Sequence, residues 1–326
     1  MIETRHLTKT YASLKALDDL TLDIGPGEVF GFIGPNGAGK STTMKILACL
    51  LRPDKGTAKV CGFDIAKDGD EIRRCIGYMP DFLGVYDDLT VDEYLHFFAA
   101  AFKIPRRQRR SIVGQVLTLT DLTEKKDALV DSLSRGMQQR LGVARVLIHD
   151  PKVLLLDEPA SGLDPRARIE MRSLLQELGR MGKVLMVSSH ILSELAEMCS
   201  SIGIIERGKL LYAGSIEDAY ERTKALSGGG EVILVGLEAG SAPGEAVKAS
   251  LARFPFVIGV EIFPPTSEHP ESAPSGALRV RLDSDAGGHH ALIEALLASG
   301  ARIGSFEPQD VKLEDAFLKL TTGALQ

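Results

Sequence analysis

The run Gly34-Pro35-Asn36-Gly37-Ala38-Gly39-Lys40-Ser41-Thr42 constrains this chain more than any other feature. It fits the pattern G-x-x-x-x-G-K-[ST], in which a strand enters a glycine-rich loop and a helix leaves it. The flanks agree: Val29-Phe30-Gly31-Phe32-Ile33 reads as a buried strand, and residues 41–51 as the helix that follows. Gly34, Gly37 and Gly39 let backbone N–H groups turn inward on phosphates without side-chain obstruction, and the helix N-terminus adds its positive dipole. Lys40 is then placed to neutralise β- and γ-phosphates, and Ser41 to offer its hydroxyl to Mg²⁺. The other reading of such a run, glycines that merely shape a turn, is weakened by the correct flanks. By itself the loop says only that a nucleotide is bound.

Two further apolar runs, Val153-Leu154-Leu155-Leu156 and Val184-Leu185-Met186-Val187, read as buried strands, each followed by a helix-length segment. Continuous apolar strands alternating with helices indicate an α/β fold with a largely parallel sheet. Residues 89–149 have few strand signals; 91–103, 106–119 and 133–149 have helical composition and length, so a helical subdomain is expected inside the α/β core. The strand at 153–156 runs into Asp157-Glu158-Pro159. A carboxylate at the C-terminal end of such a strand can hold Mg²⁺ through water, which is the role expected of Asp157. Glu158, one residue on, could orient or deprotonate an attacking water. Alone, either carboxylate reads as a solvated strand end; beside a phosphate loop, the functional reading is favoured.

After Tyr220 the chain changes character. Ser227-Gly228-Gly229-Gly230 reads as a joint, dividing the chain into domains 1–226 and 227–326. Beyond it, strands at 231–236, 256–262, 277–282 and 302–307 and helices at 244–253 and 288–299 give the order β-α-β-β-α-β, the ferredoxin-like pattern. A proline-rich connection, 264–276, separates the middle strands. Leu313, Phe317 and Leu320 mark an apolar stripe on a final helix. His289 and His290 at a helix start read as a solvated cap rather than a metal site. Cys49, Cys61, Cys75 and Cys199 form no C-x-x-C pair and read as reduced thiols of a cytosolic protein. The formal charge of −6 argues against a partner held by a broad basic surface, so no nucleic acid is expected. No apolar run approaches the ~18 residues that span a bilayer, and the start, Met1-Ile2-Glu3-Thr4-Arg5-His6, does not read as a signal peptide.

Leu133-Ser134-Arg135-Gly136-Met137-Gln138-Gln139-Arg140, just before Asp157, resembles the signature motif of the ABC ATPases, commonly L-S-G-G-Q. Ser161-Gly162-Leu163-Asp164 looks like the family's D-loop, His190 like its switch histidine, and Tyr11 like the aromatic residue on which adenine stacks. The resemblance covers residues 2–220 with every motif in order. It implies a P-loop cassette with a parallel-sheet core, an antiparallel β edge and an inserted helical subdomain, followed here by a small α+β domain.

The resemblance also implies ATP and Mg²⁺ as ligands and two cassettes arranged head to tail. Ser134 and the backbone of Gly136 would then reach the γ-phosphate held by a second copy, with the dipole of the signature helix aimed at it. His190 would hold that phosphate and the attacking water, and Asp164 would link the two sites. Two departures stand out. Arg135 and Met137 replace the usual glycine and glutamine, and Asp81, after Tyr78-Met79-Pro80, occupies the position of the Q-loop glutamine, where it could touch Mg²⁺ through water. Both departures, and the ending 313–321, look like bacterial exporter-type ATPases of drug, antibiotic, sodium or polysaccharide efflux. The leading expectation is therefore an ATPase at the inner face of the cell membrane, energising a separate permease through residues 81–104. The alternative is a soluble ABC ATPase of translation or DNA repair. One cassette, with no room for a long coiled coil between Lys40 and Asp157, disfavours it. A binding scaffold without hydrolysis is disfavoured by Glu158. The small domain could stabilise the dimer, contact the permease or sense a ligand.

Overall fold

The computed structural model describes residues 1–82, 84, 88–219, 231–238, 240–242, 244–263, 277–283 and 288–309. The glycine joint at 227–230, the connection 264–276 and the final helix with Leu313, Phe317 and Leu320 lie outside them. The described chain divides into two compact units, the first holding Met1–Ile216 and the second lying within Glu217–Lys319.

In the first unit, β1 (Ile2–Tyr11), β2 (Leu14–Ile24), β4 (Lys55–Val60) and β5 (Phe63–Asp64) form an antiparallel sheet in the order β2-β1-β4-β5. The second sheet has six strands: β3 (Val29–Ile33), β6 (Ile76–Met79), β7 (Val153–Asp157), β8 (Val184–Ser189), β9 (Ser201–Glu206) and β10 (Lys209–Ser215). Their order is β10-β9-β3-β8-β7-β6, parallel throughout except for the β9–β10 hairpin. Every residue of β7 and β8 is buried, as a sheet covered on both faces requires. Helix α1 (Lys40–Leu47) supplies Met44, Ile46 and Leu47 to one core shared with Ile2, Leu17 and Leu20 of the antiparallel sheet and Phe32, Leu155 and Met186 of the parallel one. Fully burying side chains of this size contributes roughly 1.5–3 kcal/mol each, so this shared core is what sets α1 against β3.

α2 (Gly69–Cys75) precedes β6, and the helical insertion follows it as α3 (Val91–Ala101), α4 (Arg106–Leu119) and α5 (Arg135–Leu147). The start of α3 is fixed by a capping box, in which Thr90 Oγ1 accepts the Glu93 N–H and the Glu93 carboxylate accepts the Thr90 N–H. α6 (Pro165–Arg180) and α7 (Leu192–Ala196) complete the first unit's larger helices.

In the second unit, β11 (Glu231–Leu237), α8 (Gly244–Leu251), β12 (Val257–Phe263), β13 (Ala277–Leu282), α9 (His289–Ala298) and β14 (Ile303–Gln309) follow in that order. Their sheet runs β12-β13-β11-β14, antiparallel at every junction, which is the ferredoxin-like arrangement. Alternate residues Ile233, Val235 and Leu237 of β11 and Leu278, Val280 and Leu282 of β13 pack on Val247 and Leu251 of α8 and Leu292 and Leu296 of α9. The expected cap is not formed by His289, since Gly288 holds the N-cap position of α9 with no side-chain cap; instead the His289 Nε2 lies 2.8 Å from Glu231 Oε1 at the start of β11. His290 Nε2 pairs along the helix with Glu294 Oε1 at 3.3 Å.

Candidate nucleotide site

The register of the parallel sheet brings three chain segments to one edge. Ile33 of β3 pairs with Ser189 of β8, and Asp157 of β7 pairs with Ser188. The glycine loop, the Asp157-Glu158 pair and the Ser189-His190 turn therefore emerge side by side at the strands' C-terminal ends, where α/β sheets bind ligands.

The loop is shaped by backbone demands that only glycine meets. Gly39 adopts φ 115° at the start of α1, and a Cβ there would stand 2.6 Å from the Ala16 carbonyl and 2.8 Å from Leu17 Cδ2. A Cβ on Gly34 would collide with the Ile205 carbonyl. At Gly37, by contrast, a Cβ would meet nothing within 4 Å, so this glycine borders open space. That space is a cleft of about 240 Å³ lined by Tyr11, Asn36, Gly37, Gly39, Lys40, Ser41, Thr42, Asp81 and Glu158, among others. Tyr11, at the end of β1, is 44% exposed, leaving its ring available for stacking.

Lys40 is buried, and its ammonium donates to the Gly34 carbonyl at 2.6 Å and to the Pro35 carbonyl at 3.4 Å. Its Nζ also lies 3.4 Å from Glu158 Oε1. That oxygen is buried without a hydrogen-bond partner, while Oε2 lies 2.9 Å from His190 Nδ1. Glu158 itself sits at φ 52°, a left-handed conformation uncommon for a residue with a Cβ, at the point where the chain turns out of β7. Neither this turn nor the part played by Ser188 is marked in the sequence by a local motif. The buried Ser188 hydroxyl donates to Asp157 Oδ1 at 2.6 Å and accepts the Glu158 N–H at 2.9 Å, holding both acidic residues by one side chain. A serine aligned with Asp157 across two parallel strands is the signal that could have found it.

Asp81 stands at the same cleft. Burial pushes its carboxyl above the ordinary aspartate range, helped by the negative charges of Asp157 and Glu158, while Arg135 and His190 pull the other way.

Ser134, Gly136 and Asp164 are not among the residues lining this cleft. Ser134 caps α5, its Oγ accepting the Met137 N–H at 3.3 Å, and Asp164 caps α6, its Oδ1 accepting the Ala167 N–H at 2.9 Å. A Cβ on Gly136 would stand 2.8 Å from Ala167 Cβ, so α5 and α6 touch there. The Arg135 guanidinium lies over Gly162, at 2.5 Å from where a Cβ would be. Ser134, Arg135 and Asp164 are exposed, and none of the three lines the cleft.

The cleft fits a nucleoside triphosphate. The buried ammonium of Lys40 makes do with two carbonyls and one carboxylate, and phosphate oxygens would be stronger partners. It fits Mg²⁺ in the manner usual for that ion. Among the described residues no three His, Cys, Asp or Glu side chains converge on one point. The hard oxygens of Ser41, Asp157 and Asp81 would accordingly hold the ion together with phosphate oxygens and water.

The chain is similar to known proteins. Residues 17–161 match the family described as ABC transporter. The bacitracin transport ATP-binding protein of Bacillus licheniformis is 41% identical over 212 residues, covering 65% of this chain and 68% of that protein. The Nod factor export ATP-binding protein I of Burkholderia pseudomallei is 38% identical over 214 residues, covering 66% of this chain and 70% of that one. Among solved structures, a dimeric ATP-binding cassette in a post-hydrolysis state, bound to ADP and Pi, is similar with a TM-score of 0.61 and 26% identity. The match covers 66% of this chain and 99% of that one.

Proposed function

Because the chain belongs to the ABC transporter family of ATP-binding proteins, we propose a specific division of labour for its ATP hydrolysis. ATP lies along the cleft with adenine on Tyr11 and the β- and γ-phosphates on the N–H groups of residues 34–42. Lys40 leaves its carbonyl partners for the phosphates. Ser41, Asp157 and Asp81 would hold Mg²⁺, whose charge would offset that of the phosphate oxygens when it is bound. Glu158 takes a proton from the attacking water as its oxygen bonds to the γ-phosphorus and the bridging oxygen leaves with ADP. His190 holds the Glu158 carboxylate in place and faces the same phosphate. The observation that carries this reading is the convergence of Lys40, Glu158 and His190 beside the glycine loop.

A second copy completes the site in this proposal. Ser134 and Asp164 are exposed, Gly136 is half-buried, and none lines the chain's own cleft, so a head-to-tail partner would present Ser134 and the Gly136 backbone to the γ-phosphate while Asp164 links the two sites. Among the described residues no helix is long and apolar enough to cross a membrane. The membrane step therefore falls to a separate permease, with this chain peripheral on the membrane's inner face. A groove of about 740 Å³ bordered by Arg73, Arg74, Phe102, Lys103 and Ile104 would receive it. Its wall is stiffened by Phe102 stacking on His149 at 4.0 Å. Outward transport is proposed from the relatives' named activities. The functional boundary is proposed at 226/227, with the helical part of the cassette at 89–149.

The test is co-expression with the membrane protein encoded beside this chain. The chain should co-purify with that protein and drive ATP-dependent loss of substrate from loaded cells. Lys40→Ala should abolish both ATP binding and that loss while the complex still forms. Retained ATP affinity in the variant, or no membrane partner, would overturn the reading.

A further inference from the structure

A polar chain runs from the 161–164 turn to His190 without passing through the phosphate loop. Arg168 sits near the start of α6, and its Nη2 donates to the Leu163 carbonyl at 3.3 Å. Its Nε lies 3.0 Å from Glu194 Oε1, on a side chain only 7% exposed. Both atoms are buried and make no hydrogen bond elsewhere, and although the Arg168 side chain as a whole is 42% exposed, the buried Glu194 carboxylate depends on it for a counter-charge. Glu194 Oε2 accepts the Ser189 hydroxyl at 3.1 Å, and Ser189 Oγ accepts the Ile191 N–H at 3.0 Å. Ser189 and Ile191 bracket His190, whose Nδ1 is the atom facing Glu158.

The helix that carries Glu194 cannot hold this turn unaided. α7 has five residues and no side-chain cap at its N-terminus, and a helix so short has little stability of its own. Leu192 and Leu195 seat it on the core, but apolar contacts are non-directional and do not fix the rotation of the turn before it. Directional contacts must do so, and the Glu194 carboxylate, held by Arg168, is the one that reaches Ser189. Arg168 in turn grips the backbone of the 161–164 turn, the exposed segment that a head-to-tail partner would meet.

We propose that Arg168 and Glu194 are positioning residues for hydrolysis, tying the 161–164 turn to His190 so that seating of the turn sets His190 against Glu158. The proposal rests on the reading of Glu158 and His190 as the hydrolytic pair. A mere staple between α6 and α7 would affect folding alone. A positioning tie affects turnover through His190, and it does so when the fold is intact.

The experiment uses the full chain with Glu194→Gln, with Arg168→Met and Glu194→Leu together, and with His190→Ala alone and on each of these backgrounds. Replacing both members together leaves no unpaired buried carboxylate at 194, so the double variant keeps the test interpretable if Glu194→Gln folds poorly. ATP affinity should stay within about twofold, kcat should fall about 10–100-fold, and KM should change little, the pattern of an interaction lost only in the transition state. On either background, His190→Ala should cost far less than in the wild type, because its position is already lost. Wild-type kcat in the double variant overturns the proposal, as does a full additive cost of His190→Ala. If His190→Ala alone leaves turnover intact, the assignment of His190 fails first and the positioning role with it. That outcome is recognisable because residues 168 and 194 are untouched.

Discussion

Glu158→Gln separates catalysis from binding at this site. Glutamine matches the shape of glutamate and removes one negative charge, so the φ 52° turn and the packing around it should persist. What is lost is the proton acceptor. A positioned general base contributes typically about 10²–10⁴-fold to rate, which is about 3–5 kcal/mol of barrier. The variant's kcat should fall by that factor. Its effect on Lys40 runs in the opposite direction. At 3.4 Å and an effective dielectric of about 20, the gross attraction between the two charges is about 5 kcal/mol. Desolvation of the buried pair offsets most of it. The Gln variant should therefore be modestly less stable without nucleotide, because Lys40 keeps only its carbonyl partners. ATP restores the missing negative charge, so nucleotide affinity should hold or tighten, and ATP should raise the melting temperature more than in the wild type. Phosphate release under single turnover, equilibrium binding of a fluorescent ATP analogue and thermal melts with and without ATP report these three quantities. An ATP-held dimer should accumulate on a sizing column. A kcat within about threefold of wild type would remove Glu158 as the base, and weakened ATP binding would refute the account of Lys40.

Gly39→Ala forces a methyl group at φ 115° and 2.6 Å from the Ala16 carbonyl; a loss of about 1–3 kcal/mol in stability and at least tenfold in ATP affinity is expected from denaturant melts and binding titrations. Asp81→Asn removes a carboxylate that burial and the charges of Asp157 and Glu158 hold above its ordinary range. A raised folded-state value means that the folded protein takes up this proton more readily than the unfolded chain. The ionised form accordingly costs stability at neutral pH, and the cost disappears as pH falls through the raised value. Asp81 is exposed, so solvent screening keeps the effect small, and the Asn variant should melt only about 1 °C higher at pH 7 without nucleotide, with the gap closing towards pH 4; a gap that widens on acidification would contradict this. Burial pushes the Cys199 thiol up to about 12, and burial with the neighbouring Cys61 does the same for Cys75. At pH 8 their thiolate fraction is about three orders of magnitude below that of a free cysteine, so mass spectrometry should find both alkylated slowly in the native protein and rapidly in urea.

The parallel core and the phosphate loop were legible because each is written in local residues. A strand buried on both faces must be largely apolar, and 153–156 and 184–187 are, with polar residues only where the strands end at the site; a phosphate loop must have glycine where φ is positive, as at Gly37 and Gly39. The antiparallel sheet was foreseen only through family resemblance, since β1 buries Ile2, Thr4 and then Leu7, and bulges near His6 interrupt the two-residue period. What could not be read is what depends on register and rotation. Ser188 becomes a positioning side chain only because β7 and β8 align it with Asp157, and Arg168 meets Glu194 only because α6 and α7 present those faces to each other. The signature residues show the same limit from the other side. Ser134 is expected to contact phosphate and Asp164 to link two sites, yet within one chain their side chains cap α5 and α6. A cap directs its oxygen into the first turn of its own helix and leaves that helix's dipole facing outward. If the phosphate they meet belongs to a second copy, the caps are the preparation for that meeting: a helix end that is already ordered loses little entropy when the anion arrives.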